Sequence, residues 1–94
     1  MYVYIIRCSD KTYYVGVTNN LELRFDQHQD GINPNCYTFS RRPLQLVFYE
    51  LFNTPENAIR FEKKIKKWSK LKKEALISAN FNLLPELSKK KYNK

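Results

Sequence analysis

The sequence predicts an α+β domain, a small three-stranded antiparallel sheet flanked by helices in the order β-β-α-β-α-α. Three observations point there. Two alternating stretches near the N-terminus, Tyr2 to Arg7 (YVYIIR) and Tyr13 to Val17 (YYVGV), bracket a polar turn of Ser9, Asp10 and Lys11, the pattern of a hairpin. Two helix-start signals follow, at Asn19-Asn20 and at Thr54-Pro55. Between them Leu44 to Leu51 (LQLVFYEL) reads as a third strand.

The hairpin register follows from burial. Val3 and Ile5 share a core with Val15 and Val17 when Val3 pairs with Val17 and Ile5 with Val15. That register sets Tyr4 opposite Gly16 and places Tyr14 diagonal to Tyr4, both on the face away from the valines. A glycine inside a strand leaves open space and often marks a close approach. Asn19 or Asn20 caps a helix from Leu21 to about Gln29, which Gly31 ends. Leu21, Arg24, Phe25 and His28 share one face of it. A long loop with Pro34 and Pro43 leads to the third strand. The helix begun at Thr54 is expected to reach Trp68, and Ser69 then caps a last helix to about Ala79. Residues 1–80 form the expected domain. Residues 81–94, with Pro85 and the run from Lys89 to Lys94, form an irregular basic tail.

Composition narrows the function. The chain has 94 residues, 43% of them hydrophobic and 15% aromatic, enough for one packed core and too much for wholesale disorder. No apolar run approaches the roughly 18 residues of a membrane span. No charged stretch precedes a long apolar one at the N-terminus, so no signal peptide is expected. Cys8 and Cys36 form no CxxC, and a single histidine completes no Cys2His2 site. They read as buried or idle thiols in a reducing cytoplasm. The net charge is +8, and the excess sits in residues 51–94, with twelve basic and four acidic side chains. Such a half attracts polyanions, although a lysine-rich helix is also an ordinary solvated face.

Five residues stand out chemically. Glu62 falls inside the apolar arc of its helix, with Ala58, Ile59, Phe61, Ile65 and Trp68. A carboxylate there needs a partner. It is either an ion pair, with Arg24 as the candidate cation, or a ligand for Mg²⁺ or Mn²⁺. Arg24 and His28 lie one turn apart on an apolar face. They read either as satisfied core groups or as a phosphate clamp and a proton carrier. Tyr4 and Tyr14 read as packing residues singly, and together as phenols offered to a reacting phosphate.

Tyr2-Val3-Tyr4 and Tyr14-Val15-Gly16 resemble the paired strand motifs of the GIY-YIG nuclease family. Arg24, His28 and Glu62 follow at that family's spacing. Tyr2 stands where the first motif has Gly, and Val3 and Val15 stand where both motifs have Ile. The segments RPLQLVFYE and AIRFEKKIKKWSKLKKEALI, with Tyr37-Thr38 and Arg41-Arg42-Pro43, resemble its small single-domain, UPF0213-like subfamily. The resemblance covers residues 2 to about 78. It implies phosphodiester hydrolysis with one Mg²⁺ or Mn²⁺ held at Glu62. Arg24 would balance charge in the transition state. Tyr4 would take a proton from water, relayed through His28, and Tyr14 would orient the water or phosphate. The choice of base among Tyr4, Tyr14 and His28 stays open. Asn80 and Asn82 are the candidates for the family's later asparagine. Lys63, Lys66, Lys67, Lys70, Arg41 and Arg42 are the candidate nucleic-acid contacts. The implied partner is nucleic acid, DNA ahead of RNA, in the cytoplasm and away from membranes, with a larger protein as a source of target specificity. The rival readings are a non-catalytic nucleic-acid-binding module and an interaction domain whose lysine face meets an acidic protein.

Overall fold

A computed structural model describes residues 1–88, and the side chains of residues 1–79. Strands β1 (Tyr2–Arg7), β2 (Tyr13–Thr18) and β3 (Gln45–Leu51) form one antiparallel sheet in the order β2-β1-β3. Helices α1 (Leu21–Asp30), α2 (Pro55–Lys66) and α3 (Lys70–Ser88) complete the expected order. A short 3-10 turn at Phe39–Arg41 lies in the loop before β3. Among the described residues no helix is long and apolar enough to cross a membrane.

The hairpin has the predicted register, with Val3 opposite Val17, Tyr4 opposite Gly16 and Ile5 opposite Val15. Its turn is closed by Asp10, whose carboxylate accepts bonds from the Thr12 backbone and hydroxyl. Lys11 takes a left-handed φ of 72° there.

Both faces of β1 are covered. Val3 and Ile5 join Val15, Phe48, Ala58 and Ile65 in a core roofed by α2 and α3. Tyr4 and Ile6 join Cys8 and Leu44 in a second core, against Leu21 and Phe25 of α1. The sheet is therefore the middle of three layers. A bulge in β3 falls between the pairs Ile5–Phe48 and Ile6–Leu46. It lets the consecutive residues Val47 and Phe48 both meet the first core.

The helix ends have the expected chemistry. Asn20 accepts from Leu23 N at 3.1 Å, Thr54 from Asn57 N at 3.2 Å, and Ser69 from Lys72 N at 3.2 Å. Helix α2 stops at Lys66, short of the expected Trp68. Its last turn tightens, with Lys67 and Trp68 bonding back to Lys64 and Ile65, and Ser69 then turns outward to cap α3. Ile59, assigned to the apolar arc, is 39% exposed and lies at the rim. Helix α3 runs on to Ser88, beyond the expected Ala79. Residues 80–84 hold no glycine or proline to stop it, and the donor lost at Pro85 falls close to its end. The side chains of Asn80 and Asn82 and the Lys89–Lys94 segment lie outside the described residues.

Gly31 ends α1 in a left-handed conformation, φ 68°, that a side chain adopts only at a cost. A Cβ there would also press on the Arg42 guanidinium, 2.7 Å away. Gly31→Ala is expected to lower stability by about 1 kcal/mol, read as the shift in urea midpoint. An unchanged midpoint would show that the left-handed cap carries no strain.

Candidate active site

The second core holds the chemistry. Tyr4 points from β1 toward α1 and is 2% exposed. Its phenol lies 3.0 Å from His28 Nε2. The space beside Gly16 is not open, as the sequence suggests, because the Tyr4 ring fills it. A Cβ on Gly16 would come within 2.5 Å of the Tyr4 oxygen. Glycine is needed here for Tyr4 itself, not for a free pocket.

Tyr14 shares the face with Tyr4, their ring centroids 6.3 Å apart. Its ring meets His28 edge-on at 5.2 Å and stacks on Tyr37 at 6.3 Å. Arg24 lies one turn before His28, half-buried, and bonds Gln27 at 3.3 Å. Its guanidinium sits beside the Tyr4 and Tyr14 phenols. Four of the five predicted residues thus converge on one cluster.

Burial sets the proton affinities. It pushes the Tyr4 phenol up to about 12, and the Arg24 charge only partly offsets it. Burial raises Tyr14 as well. His28 is 4% exposed. Burial, helped by the Arg24 charge, pulls its imidazole down to about 4. At neutral pH both phenols are protonated and the imidazole is neutral.

Glu62 reaches this region from the other layer. It is 7% exposed and pairs with Lys66 one turn on, not with Arg24. The sheet explains why: α2 packs on the valine face and α1 on the tyrosine face. Lys66 shares a recess with Tyr14 and Tyr37 at the β2 edge, and its charge acts on the Tyr14 phenol. The Glu62–Lys66 pair therefore borders the tyrosine cluster without joining its hydrogen bonds.

Among the described residues no three His, Cys, Asp or Glu side chains gather at one point. A cation held by three or more such side chains has no site among the described residues. A single buried carboxylate does suit Mg²⁺ or Mn²⁺, which keep most of their waters and borrow phosphate oxygens. The side chain that now neutralises Glu62 is a flexible lysine 53% exposed, free to move into water. Glu62 therefore fits such an ion.

The basic candidates divide in two. Lys63, Lys66, Lys67 and Lys70 are exposed. Arg41 and Arg42 instead brace the loop. Arg41 pairs with Asp10 at 3.0 Å, bonds the Tyr37 carbonyl at 2.8 Å and lies over the Tyr37 ring. Arg42 bonds the carbonyls of Phe39 and Gln29 and lies over the Phe39 ring. Two loop residues that pattern reasoning did not place in the site also belong to the cluster. Thr38 bonds His28 Nδ1 at 2.9 Å, and Cys36 lies 3.7 Å from the same nitrogen. Thr38 is signalled in the sequence through the Tyr37-Thr38 pair of the subfamily's loop, which assigns it no role, and an irregular loop has no period to orient either side chain.

A hairpin presenting two tyrosines to an Arg–His helix, with a buried glutamate on a later helix, defines a GIY-YIG catalytic domain. The model of that domain matches residues 1–75. The chain belongs to the GIY-YIG family. It is 44% identical over 79 residues to a UPF0213 protein of Syntrophus aciditrophicus, covering 84% of this chain and 91% of that one. It is 38% identical over 81 residues to UPF0213 protein YazA of Bacillus subtilis, covering 86% and 81%. The solution NMR structure of a UPF0213 protein from Bacillus halodurans superposes with a TM-score of 0.55 at 38% identity, covering 83% of this chain and 82% of the other.

The histidine gives a pH prediction. Its folded value, about 4, lies below its ordinary 6.5. Between those values the unfolded chain binds a proton that the folded chain does not. Stability is therefore full above pH 6.5 and falls as the pH drops toward 4, by up to about 3 kcal/mol. Urea unfolding across that range, beside an NMR titration of the ring, checks it. A ring that titrates near 6.5 would mean that the site is wet.

Proposed function

We propose that this chain is a phosphodiester hydrolase, an endonuclease acting on nucleic acid, DNA ahead of RNA, through a domain spanning residues 1–80. The observation that carries the reading is the buried Tyr4–His28 hydrogen bond beside Arg24. A phenol held up near 12 is no base by itself. Bonded to a neutral imidazole, it can accept a proton from water while handing its own to His28 Nε2. The proton then rests on His28. An incoming phosphate raises the affinity of His28 for it by placing negative charge close by. Arg24 faces the same phosphate and offsets the charge that builds on its oxygens. Tyr14, on the open side of the cluster against Tyr37, orients the water or phosphate.

Glu62 would hold Mg²⁺ or Mn²⁺ once Lys66 swings away, and the ion would supply charge neutralisation at the phosphate and the leaving oxygen. Glu62→Gln separates this from a structural role. Its partner Lys66 is half-exposed, so the pair is worth little and stability should hold within about 1 kcal/mol. Cleavage of plasmid, single-stranded or branched DNA in Mn²⁺ should fall by about 100-fold or more. A folded variant that cuts at the wild-type rate removes Glu62 from the mechanism.

The exposed lysines support a nucleic-acid surface along α2 and the start of α3. Reversing Lys63, Lys67 and Lys70 to Glu should weaken binding for every sequence and flatten the salt dependence by about one unit per lost phosphate contact. Unchanged affinity would make this a solvated face. The Lys66 ammonium seated on Glu62 favours one alternative, a binding module on the same fold that does not turn over. Tight salt-sensitive binding without cleavage of any substrate in Mn²⁺ would select it. A larger protein supplying target specificity and a cytoplasmic setting accompany the proposal.

A further inference from the structure

Thr38 is 1% exposed, in the irregular segment between α1 and β3. A hydroxyl buried in such a place is unfavourable unless it is bonded. Thr38 makes two side-chain contacts, to His28 Nδ1 at 2.9 Å and to Cys36 Sγ at 3.5 Å. Together with Tyr4 they run from the sheet to the loop, Tyr4, His28, Thr38, Cys36, with the Cys36 sulfur also 3.7 Å from His28 Nδ1.

Counting protons couples the directions of the bonds in that line, so that one of them sets the rest. A neutral imidazole carries one N–H and one bare nitrogen. A threonine hydroxyl has one proton to give and lone pairs to receive. When Thr38 gives its proton to the Cys36 sulfur, its hydroxyl offers His28 only lone pairs, and that 2.9 Å contact outweighs the longer one, 3.7 Å, between Nδ1 and the Cys36 thiol. Nδ1 then carries the ring proton, and Nε2 is bare and accepts the Tyr4 O–H. If Thr38 gave its proton to Nδ1 instead, Nε2–H would point at the Tyr4 oxygen. Tyr4 could then pass no proton to His28.

We infer that Thr38 is a positioning residue for the proposed hydrolysis, holding His28 in the Nδ1–H tautomer by donating to Cys36. The inference rests on the hydrolase reading for its purpose, although the tautomer is a property of the free protein. Burial raises the Cys36 thiol, but bonds from the Thr38 side chain and backbone and the Arg24 charge outweigh it. The net downward direction fits a sulfur that accepts. The proton account closes. Water gives a proton to the Tyr4 oxygen, and Tyr4 gives its own to Nε2. The water oxygen bonds phosphorus as the bond to the leaving oxygen breaks. The leaving oxygen takes a proton from solvent, and His28 returns its extra proton to solvent after release. Throughout, Nδ1–H stays on Thr38, and that bond strengthens while the ring is charged.

The chain has a single histidine, so its ring nitrogens are read without ambiguity. Long-range ¹⁵N–¹H spectra of the wild-type protein at pH 7 should show Nδ1 protonated and Nε2 bare. Thr38→Val keeps the shape and removes the hydroxyl. Its spectrum should move toward the Nε2–H form, and kcat should fall about 10-fold or more with KM little changed. Thr38→Ser should restore both. Cys36→Ala, which leaves Thr38 free to donate to Nδ1, should shift the same spectrum, and it covers a Thr38→Val chain that fails to fold. A wild-type ring with Nε2–H, or variants whose tautomer matches wild type, would overturn the assignment. A shifted tautomer with undiminished kcat would overturn the positioning role. If wild type cleaves no substrate, the hydrolase reading and the positioning role fall, while the spectra still decide the tautomer.

Discussion

Strand β1 is buried on both faces, and the rest of the molecule is arranged around that constraint. Val3 and Ile5 enter one core, Tyr4 and Ile6 the other. A slip of one residue would exchange the two sets. Tyr4 would be pressed among valines with no partner for its hydroxyl, and His28 would face a branched aliphatic chain. The register is therefore enforced by the apolar and the polar core together. It also fixes Gly16 opposite Tyr4, where a side chain would collide with the phenol.

The two cores do different work. The valine face, with α2 and α3, is almost wholly apolar and supplies the hydrophobic burial that a chain this short needs. The tyrosine face spends part of its area on groups that must be bonded rather than merely packed: Tyr4, His28 and Thr38. Their bonds tie the sheet to α1 and α1 to the loop. Arg41 and Arg42 hold that loop from outside through Asp10, Tyr37, Phe39 and Gln29. An overall charge of +8 thus conceals two populations. The arginines of the loop are committed to structure, whereas Lys63, Lys67 and Lys70 stand exposed to solvent. Arg24 belongs to neither, since its charge is turned toward the phenols.

Strands and caps were legible in the sequence because each has a local cause. Alternation set the register of β1 on β2, and Asn20, Thr54 and Ser69 announced helix starts that the structure keeps. The convergence of Tyr4, Tyr14, Arg24 and His28 was legible for the same reason, since a strand period and a helix period aim all four at one layer. Glu62 shows where that reasoning stops. A helical wheel says that the residue faces inward, but not which layer its helix joins. The ion pair expected with Arg24 fails because the sheet stands between α2 and α1. Thr38 and Cys36 were visible as residues, but not their place beside His28, for no period governs a loop that is shaped by what it packs against.

The contrast between the two buried polar groups bears on how such a site works. The Tyr4–His28–Thr38 line is closed: each member is buried and hydrogen-bonded to the next. Glu62 is equally hidden, yet its charge is met by a lysine that reaches in from solvent. A line that must hand over a proton gains from being fixed, because misdirected hydrogens stop it. A carboxylate that must exchange one cation for another gains from a partner that leaves easily, because a rigid guanidinium would have to be paid for in a broken buried pair. The placement of lysine on Glu62 and of arginine on the phenols matches this division. Its origin is the sheet, which keeps the two groups in separate layers that come together at the β2 edge.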